Sequence, residues 1–161
     1  MNALVAGLLL LVSPVAAPAQ APSTPPEPDS ASVAQATRAF LVAFDSLRWE
    51  PFAAVWAPMA TVFLPEAEQP HLVSGRGEVL AYFRDMFAEV RAGAPAGAPS
   101  LQILPAVREL RIQSVGGGVA LVTFELGRGS APGRRTLVWA WDPRRRAWQL
   151  QHLHASRQGP E

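Results

Sequence analysis

The last β-rich run of the chain is Trp148-Gln149-Leu150-Gln151-His152-Leu153-His154-Ala155, and the orientation of its two faces decides how the fold is built. In a strand, successive side chains point to opposite faces of the sheet. One face therefore carries an indole, a leucine and two imidazoles, from Trp148, Leu150, His152 and His154. We predict that this face points into the interior of the domain. The alternate face, with Gln149, Gln151, Leu153 and Ala155, then meets solvent or a second subunit.

Further β-rich runs precede this one and together predict a four-stranded meander. Residues 107–115 and 119–126 are joined by three glycines, a hairpin signal, and residues 136–141 lead into the last run through a turn with a basic tip. Upstream, apolar residues recur every three or four positions over 33–47, 52–59 and 79–90, which predicts three helices. A short predicted strand over 61–64 lies between the second and the third. The predicted fold class is α+β, with three N-terminal helices packed on a curved, mainly antiparallel sheet in the shape of a cone.

The N-terminal segment predicts export. Residues 3–12 form an unbroken apolar run, which is shorter than the ~20 residues that a membrane span needs. Ala17-Pro18-Ala19 fits a small-x-small cleavage site, although no Lys or Arg precedes Glu27 as a typical signal peptide would have. We expect a signal peptide over 1–19, a proline-rich tether over 20–29, one domain over 30–157 and a tail over 158–161. The protein is then periplasmic or secreted and has no membrane span.

Several stretches carry a resemblance to a known family. They are Thr61-Val62-Phe63-Leu64-Pro65-Glu66-Ala67, Leu72-Val73-Ser74-Gly75, Tyr82-Phe83 and the final run quoted above together with Ser156. With the order of elements, they resemble the nuclear-transport-factor-2-like superfamily, and its SnoaL-like members in particular. The same stretches are similar to the association domain of calcium/calmodulin-dependent protein kinases. The resemblance covers about residues 32–156 and implies a cone-shaped domain that serves as an enzyme, a ligand binder or an assembly module.

The imidazoles of His152 and His154 allow three interpretations. They are hydrogen-bonded side chains with a structural role, they orient a bound small molecule, or they hold a metal. A zinc site needs a third ligand, for which His71 or a carboxylate is available. The chain has no cysteine, which excludes disulfides and thiolate ligands. The resemblance implies no metal, so we expect neither a metal nor a cofactor.

Our leading hypothesis is that the cone cavity binds a small, partly apolar molecule. His152 and His154 supply the polar contacts, and His71 is a candidate lid residue if its loop folds over the mouth. Aromatic side chains either line the cavity or fill it as core, and the sequence leaves that choice open. They are Phe40, Trp56, Phe63, Phe83, Phe87 and Phe124.

Two alternatives use the same fold. The first is an isomerase, cyclase or hydratase that acts by general acid–base catalysis through the two histidines or Glu125. Glu125 faces inward only if Val119, Leu121 and Thr123 do; otherwise it is exposed or paired with an arginine. The second is an assembly module with a filled cavity. In every case we expect a homodimer that pairs the outer sheet faces, and no binding to nucleic acid, since the basic turn over 144–146 is typical of a solvated tip.

Overall fold

A computed structural model describes residues 29–64, 72–94, 100–127 and 133–157. The predicted signal peptide over 1–19, nearly all of the predicted tether over 20–29, His71 and the predicted tail over 158–161 lie outside these ranges. Within the described ranges, no helix combines the length and the apolar character needed to cross a membrane.

The described part of the chain forms three helices on one face of a sheet. Helix α1 spans Ser30–Asp45 and begins where the Asp29 carboxylate accepts a hydrogen bond from the Ser32 backbone N–H at 2.7 Å. Helix α2 spans Trp49–Ala54, and helix α3 spans Arg76–Gly93. Helices α1 and α3 each bury an apolar stripe, as the three- and four-residue spacing predicts, and α2 buries Phe52 and Ala53.

The described strands form a single six-stranded sheet. They are β1 (Trp56–Phe63), β2 (Leu72–Ser74), β3 (Val107–Gly116), β4 (Val119–Leu126), β5 (Gly133–Asp142) and β6 (Ala147–Ser156). Their order is β2-β1-β6-β5-β4-β3, with the β1–β6 pair parallel and the other pairs antiparallel. The predicted fold class, α+β with three helices on a mainly antiparallel sheet, is confirmed.

The second predicted helix is shorter than its apolar spacing indicates. Helix α2 ends at Ala54, and Trp56 already belongs to β1, where it pairs with Leu150 of β6. Met59, expected on the inner face of that helix, is 80% exposed. The parallel pairing with β6, with the Leu150 N–H donating to the Val55 carbonyl at 2.8 Å, overrides the local helical pattern.

The helices cover one face of the sheet, which we call the covered face, and leave the opposite open face bare of other described elements. The covered face carries buried apolar side chains: Val62, Ala120, Val122, Phe124, Leu137, Trp139, Leu150, Leu153 and Ala155. The open face carries the residues that alternate with them: Thr61, Phe63, Leu121, Thr123, Glu125, Thr136, Val138, His152 and His154.

A β-bulge in β6 reverses the predicted orientation of the two histidines. Leu150 pairs with Trp139 and His152 pairs with Val138, so Gln151 is an extra residue that faces no partner on β5. A bulge places one extra residue in a strand with no matching residue on its neighbour. The alternation of side chains between the two faces, followed from Leu150, is therefore interrupted at Gln151. The prediction that His152 and His154 point inward is wrong: Leu153 and Ala155 are buried, whereas His154 is exposed.

Candidate functional site

Aromatic side chains fill the space between α2, α3 and the start of β1. Phe52 lies at the centre of this cluster, with its ring centroid 5.0 Å from those of Phe83 and Phe87 and 5.8 Å from that of Trp56. Trp56 and Phe87 are fully buried and make no wall of the cavity described below. They are therefore packed core, in contrast to the lining role predicted as one of two options for them.

A cavity of about 250 Å³ lies beside this cluster, between α1, α3 and the covered face. Its walls are mostly apolar and include Phe40, Phe83 and Phe124, the members of the predicted aromatic set that do face a cavity. Further apolar walls come from Leu41, Phe44, Leu64, Met86, Leu101, Ile103, Leu126, Leu153 and Ala155. The volume lies just below the ~300–1,000 Å³ of pockets for drug-sized molecules, so a fitting ligand is small.

The polar side chains in the described cavity wall are Tyr82, Arg135 and Arg157, and no carboxylate or imidazole is among them. Arg135 stands on β5, on the same face as Leu137 and Trp139. Its Nη1 donates to the Ser156 carbonyl at 3.0 Å and to the Arg134 carbonyl at 2.9 Å. These two bonds fix the guanidinium at the cavity wall.

Gly133 leaves the space that the Arg135 guanidinium occupies. A Cβ on residue 133 would lie 2.8 Å from Arg135 Nη1 and 3.0 Å from the Ser156 carbonyl oxygen. Such contacts are far inside van der Waals distance, so any larger residue here would displace the guanidinium. The absence of a side chain at Gly133 and the carbonyl of Arg134 thus keep the Arg135 guanidinium at the cavity wall.

The predicted polar residues of the site lie elsewhere. On the open face, Thr61 Oγ1 and His152 Nδ1 share a hydrogen bond of 2.7 Å, and the Phe63 ring lies 5.8 Å from His152 and 5.7 Å from His154 between centroids. Burial lowers the pKa of His152, and the nearby His154 lowers it further. His152 and His154 lie on the same face, as their spacing predicts. They lie beside Phe63, however, and outside the cavity.

The catalytic candidate Glu125 is also on the open face. It is half-buried and pairs in register with Arg134 on β5. Two strand spacings separate β4 from β6, roughly 10 Å, so Glu125 does not join the histidines in one site. In the ranges that the structure describes, no group of three or more His, Cys, Asp or Glu side chains is arranged to hold a metal ion. His71 lies outside those ranges.

Sequence reasoning missed both cavity arginines. The signal was available for Arg135, because it stands two positions before Leu137 and four before Trp139 on a strand, which puts a charge on an apolar face. No comparable signal exists for Arg157, which follows the last strand. Leu101 and Ile103 were also missed, since they follow a low-complexity stretch that predicts only a loop.

The SnoaL-like domain model matches residues 33–159. The chain belongs to the SnoaL-like domain family. The match spans nearly all the described elements, including the cavity and both arginines. No curated protein matches the chain in sequence.

Solved structures show the same fold as this SnoaL-like domain. A candidate dehydratase of the NTF2-like family from Streptomyces avermitilis is 24% identical, with a TM-score of 0.63, over 81% of this chain and 96% of that one. The CaMKII hub of S. rosetta is 22% identical, with a TM-score of 0.59, over 83% of this chain and 99% of that one. A candidate ketosteroid isomerase from Shewanella frigidimarina is 14% identical, with a TM-score of 0.57, over 79% and 96%.

Proposed function

We propose that this SnoaL-like domain binds a small, partly apolar molecule that carries an anionic group, such as a carboxylate, in the cavity between its helices and its sheet. The observation that carries the proposal is the composition of the wall: apolar side chains, two arginines, one tyrosine and no described acidic residue. An apolar wall favours burial of an apolar body. Guanidinium groups favour carboxylates, because both are planar and pair through two parallel hydrogen bonds.

This proposal does not include His152 and His154 as ligand contacts. His152 and His154 lie on the open face, on the other side of the sheet from Leu153 and Ala155 of the cavity wall. Arg135, Arg157 and Tyr82 take their place as the polar contacts. Export remains a prediction from residues 1–19, and we propose that the domain meets its ligand in the periplasm or outside the cell.

Binding is favoured over acid–base catalysis. The similarity to a candidate dehydratase and a candidate ketosteroid isomerase keeps an enzyme as the alternative. A proton abstraction needs a base within hydrogen-bond reach of the substrate, and the described wall offers only Tyr82 and two permanently charged arginines. Glu125, His152 and His154 face away from the cavity and cannot take that role there.

Isothermal titration with octanoate tests the proposal, with 1-octanol as the uncharged ligand of the same length. We expect saturable binding of octanoate, and affinity lower by about tenfold or more in Arg135→Gln and Arg157→Gln, since hydrogen bonds to charged groups contribute about 1.5–3 kcal/mol. Gly133→Ala should weaken binding as well, because it displaces the Arg135 guanidinium. Arg144→Gln, on the exposed hairpin tip, is the matched control. Equal affinity for octanol and octanoate, or no effect of either arginine, would reject the anionic ligand.

A second proposed role is self-association through the open face. The centre of that face carries half-buried uncharged side chains, Thr61, Leu121, Thr123, Thr136 and Val138, while Arg111 on β3 and Arg134 near the strand ends are exposed. An uncharged centre with a charged rim is the composition of a protein interface. The similarity to the CaMKII hub of S. rosetta supports an assembly of this kind. A second copy of the same chain is the partner that we propose for this face.

A further inference from the structure

A short segment over residues 100–103, which we call the strap, closes one side of the cavity. Leu101 and Ile103 of the strap line the cavity of about 250 Å³. The same two side chains also line a neighbouring groove of about 390 Å³. Leu126, Arg135 and Arg157 also border both spaces. The strap therefore lies where two neighbouring spaces meet, which we call the inner cavity and the outer groove.

One residue at the end of α1 holds the strap in place. The Ile103 N–H donates to Asp45 Oδ1 at 2.6 Å, and the Ser100 hydroxyl donates to Asp45 Oδ2 at 3.1 Å. The Leu101 N–H donates to the Asp45 main-chain oxygen at 2.9 Å. Ser100 also accepts from the Gln102 N–H at 3.0 Å, and Gln102 has a left-handed φ of 52°. Both carboxylate oxygens of Asp45 are thus engaged by the strap.

This attachment differs from that of the strands around it. Strand backbones are held by ladders of hydrogen bonds to neighbouring strands, so they separate only when much of the sheet opens. Two of the three bonds that join the strap to Asp45 are made to its single carboxylate. Charge-assisted bonds of this kind are short and strong, but here there are only two. Moving the strap away from Asp45 breaks these three bonds and unpacks Leu101 and Ile103 from the core, but it unpairs no strand.

We propose that Asp45 is a positioning residue that holds the strap across the cavity and thereby limits the length of the ligand. When the strap leaves Asp45, Leu101 and Ile103 withdraw and the inner cavity joins the outer groove. Arg135 and Arg157 border both spaces, so the anionic group keeps its contacts while the apolar body extends further. The ligand-length part of this inference rests on the proposed function; the movement of the strap does not.

A thiol placed in the cavity tests the movement without any ligand. The chain has no cysteine, and Ala155, which is 6% exposed and lines the cavity, accepts Ala155→Cys with little change in volume. Ala120, which is 1% exposed and lies in the core away from the cavity wall, gives the matched control Ala120→Cys. The measurement is the rate of reaction of each thiol with N-ethylmaleimide in the otherwise unchanged chain and in Asp45→Ala.

We expect Asp45→Ala to raise the reaction rate of the thiol at 155 by about tenfold or more and to leave that at 120 within about twofold. Ser100→Ala removes only the 3.1 Å bond and should raise the first rate by about two- to threefold. An unchanged rate at 155 would overturn the proposal. An equal increase at both positions would also overturn it, since Asp45 would then only stabilise the fold. If Asp45→Ala does not fold, Asp45→Asn, which keeps an acceptor for Ile103, should show the same direction with a smaller rise.

A series of straight-chain carboxylates from hexanoate to dodecanoate tests the length limit by titration. The unchanged protein should lose affinity beyond a certain chain length, and Asp45→Ala should shift that limit to longer chains. The same length profile in both proteins would overturn the length limit. Failure of both proteins to bind any member of the series would reject the proposed function instead, and the thiol rates would still decide whether the strap opens.

Discussion

The covered face and the open face belong to the same six strands, but they carry different chemistry. The covered face is apolar and buried except where Arg135 reaches the cavity. The open face carries the two histidines, Thr61 and Glu125, all half-buried except for the exposed His154. The polar residues that look most like a site from the sequence are on the open face, and the cavity lies on the other. A concentration of titratable residues on one strand therefore does not by itself locate the cavity of this domain.

The largest difference between the two faces should appear in stability. Phe52 on α2 packs among the rings of Trp56, Phe83 and Phe87 on the covered side of the sheet, and Phe63 lies half-buried on the open face. We expect Phe52→Ala to lower the free energy of unfolding by about 3–5 kcal/mol and Phe63→Ala by about 1 kcal/mol. Urea unfolding followed by tryptophan fluorescence measures both, because Trp56 and Trp139 are buried. Equal losses would mean that the open face is as tightly packed as the covered one.

Self-association should depend on the open face alone. Val138 lies at the centre of that face, and Val138→Glu would place a charge inside the proposed interface, raising the dissociation constant at least about 100-fold, or roughly 2.7 kcal/mol. Arg111→Glu changes the charge at the exposed rim and should have a much smaller effect. Sedimentation velocity over a range of concentrations measures both. A monomeric parent protein at high concentration, or an unaffected Val138→Glu dimer, would remove the interface from this face.

The smallest expected effect concerns the pH dependence of stability. Burial holds the pKa of His152 below its usual 6.5, so the unfolded chain binds this proton more readily than the folded one. The stability associated with neutral His152 is present above about pH 6.5 and is lost as the pH falls from there toward the lower pKa of the folded state. Besides His154, the facing side chains on β1 and β5 are Thr61, Phe63, Thr136 and Val138, which carry no charge.

Thermal unfolding between pH 7.5 and pH 5 measures this dependence. His152→Gln should lose less stability than the parent protein over that interval, because its residue 152 takes up no proton. His154→Gln should keep most of the parent's dependence, since burial is the main cause of the lowered pKa and His154 the lesser one. Parallel profiles for the parent and His152→Gln would show that His152 titrates alike in the folded and unfolded chains.

Local patterns were sufficient for most of the architecture. The spacing of three or four residues within 33–47 and 79–90 predicted α1 and α3, and the alternation of residues in β4 and β5 predicted a sheet that buries one side. The family resemblance, carried by stretches from Thr61 to Ser156, follows from the same residues. The pattern failed at Trp56, where a partner strand distant in the sequence decides between helix and strand.

The sequence by itself determined that this chain folds as a SnoaL-like α+β domain, because hydrophobic period is a property of neighbours along the chain. Only the tertiary structure decided which side of β6 faces the helices, because the bulge at Gln151 exists relative to β5 and β1 and not within β6 alone. The same holds for the site. The cavity and its strap combine residues from both ends of the domain: Asp45, Arg135 and Arg157. Only the packing of the folded chain brings them together, and the order of residues does not show it.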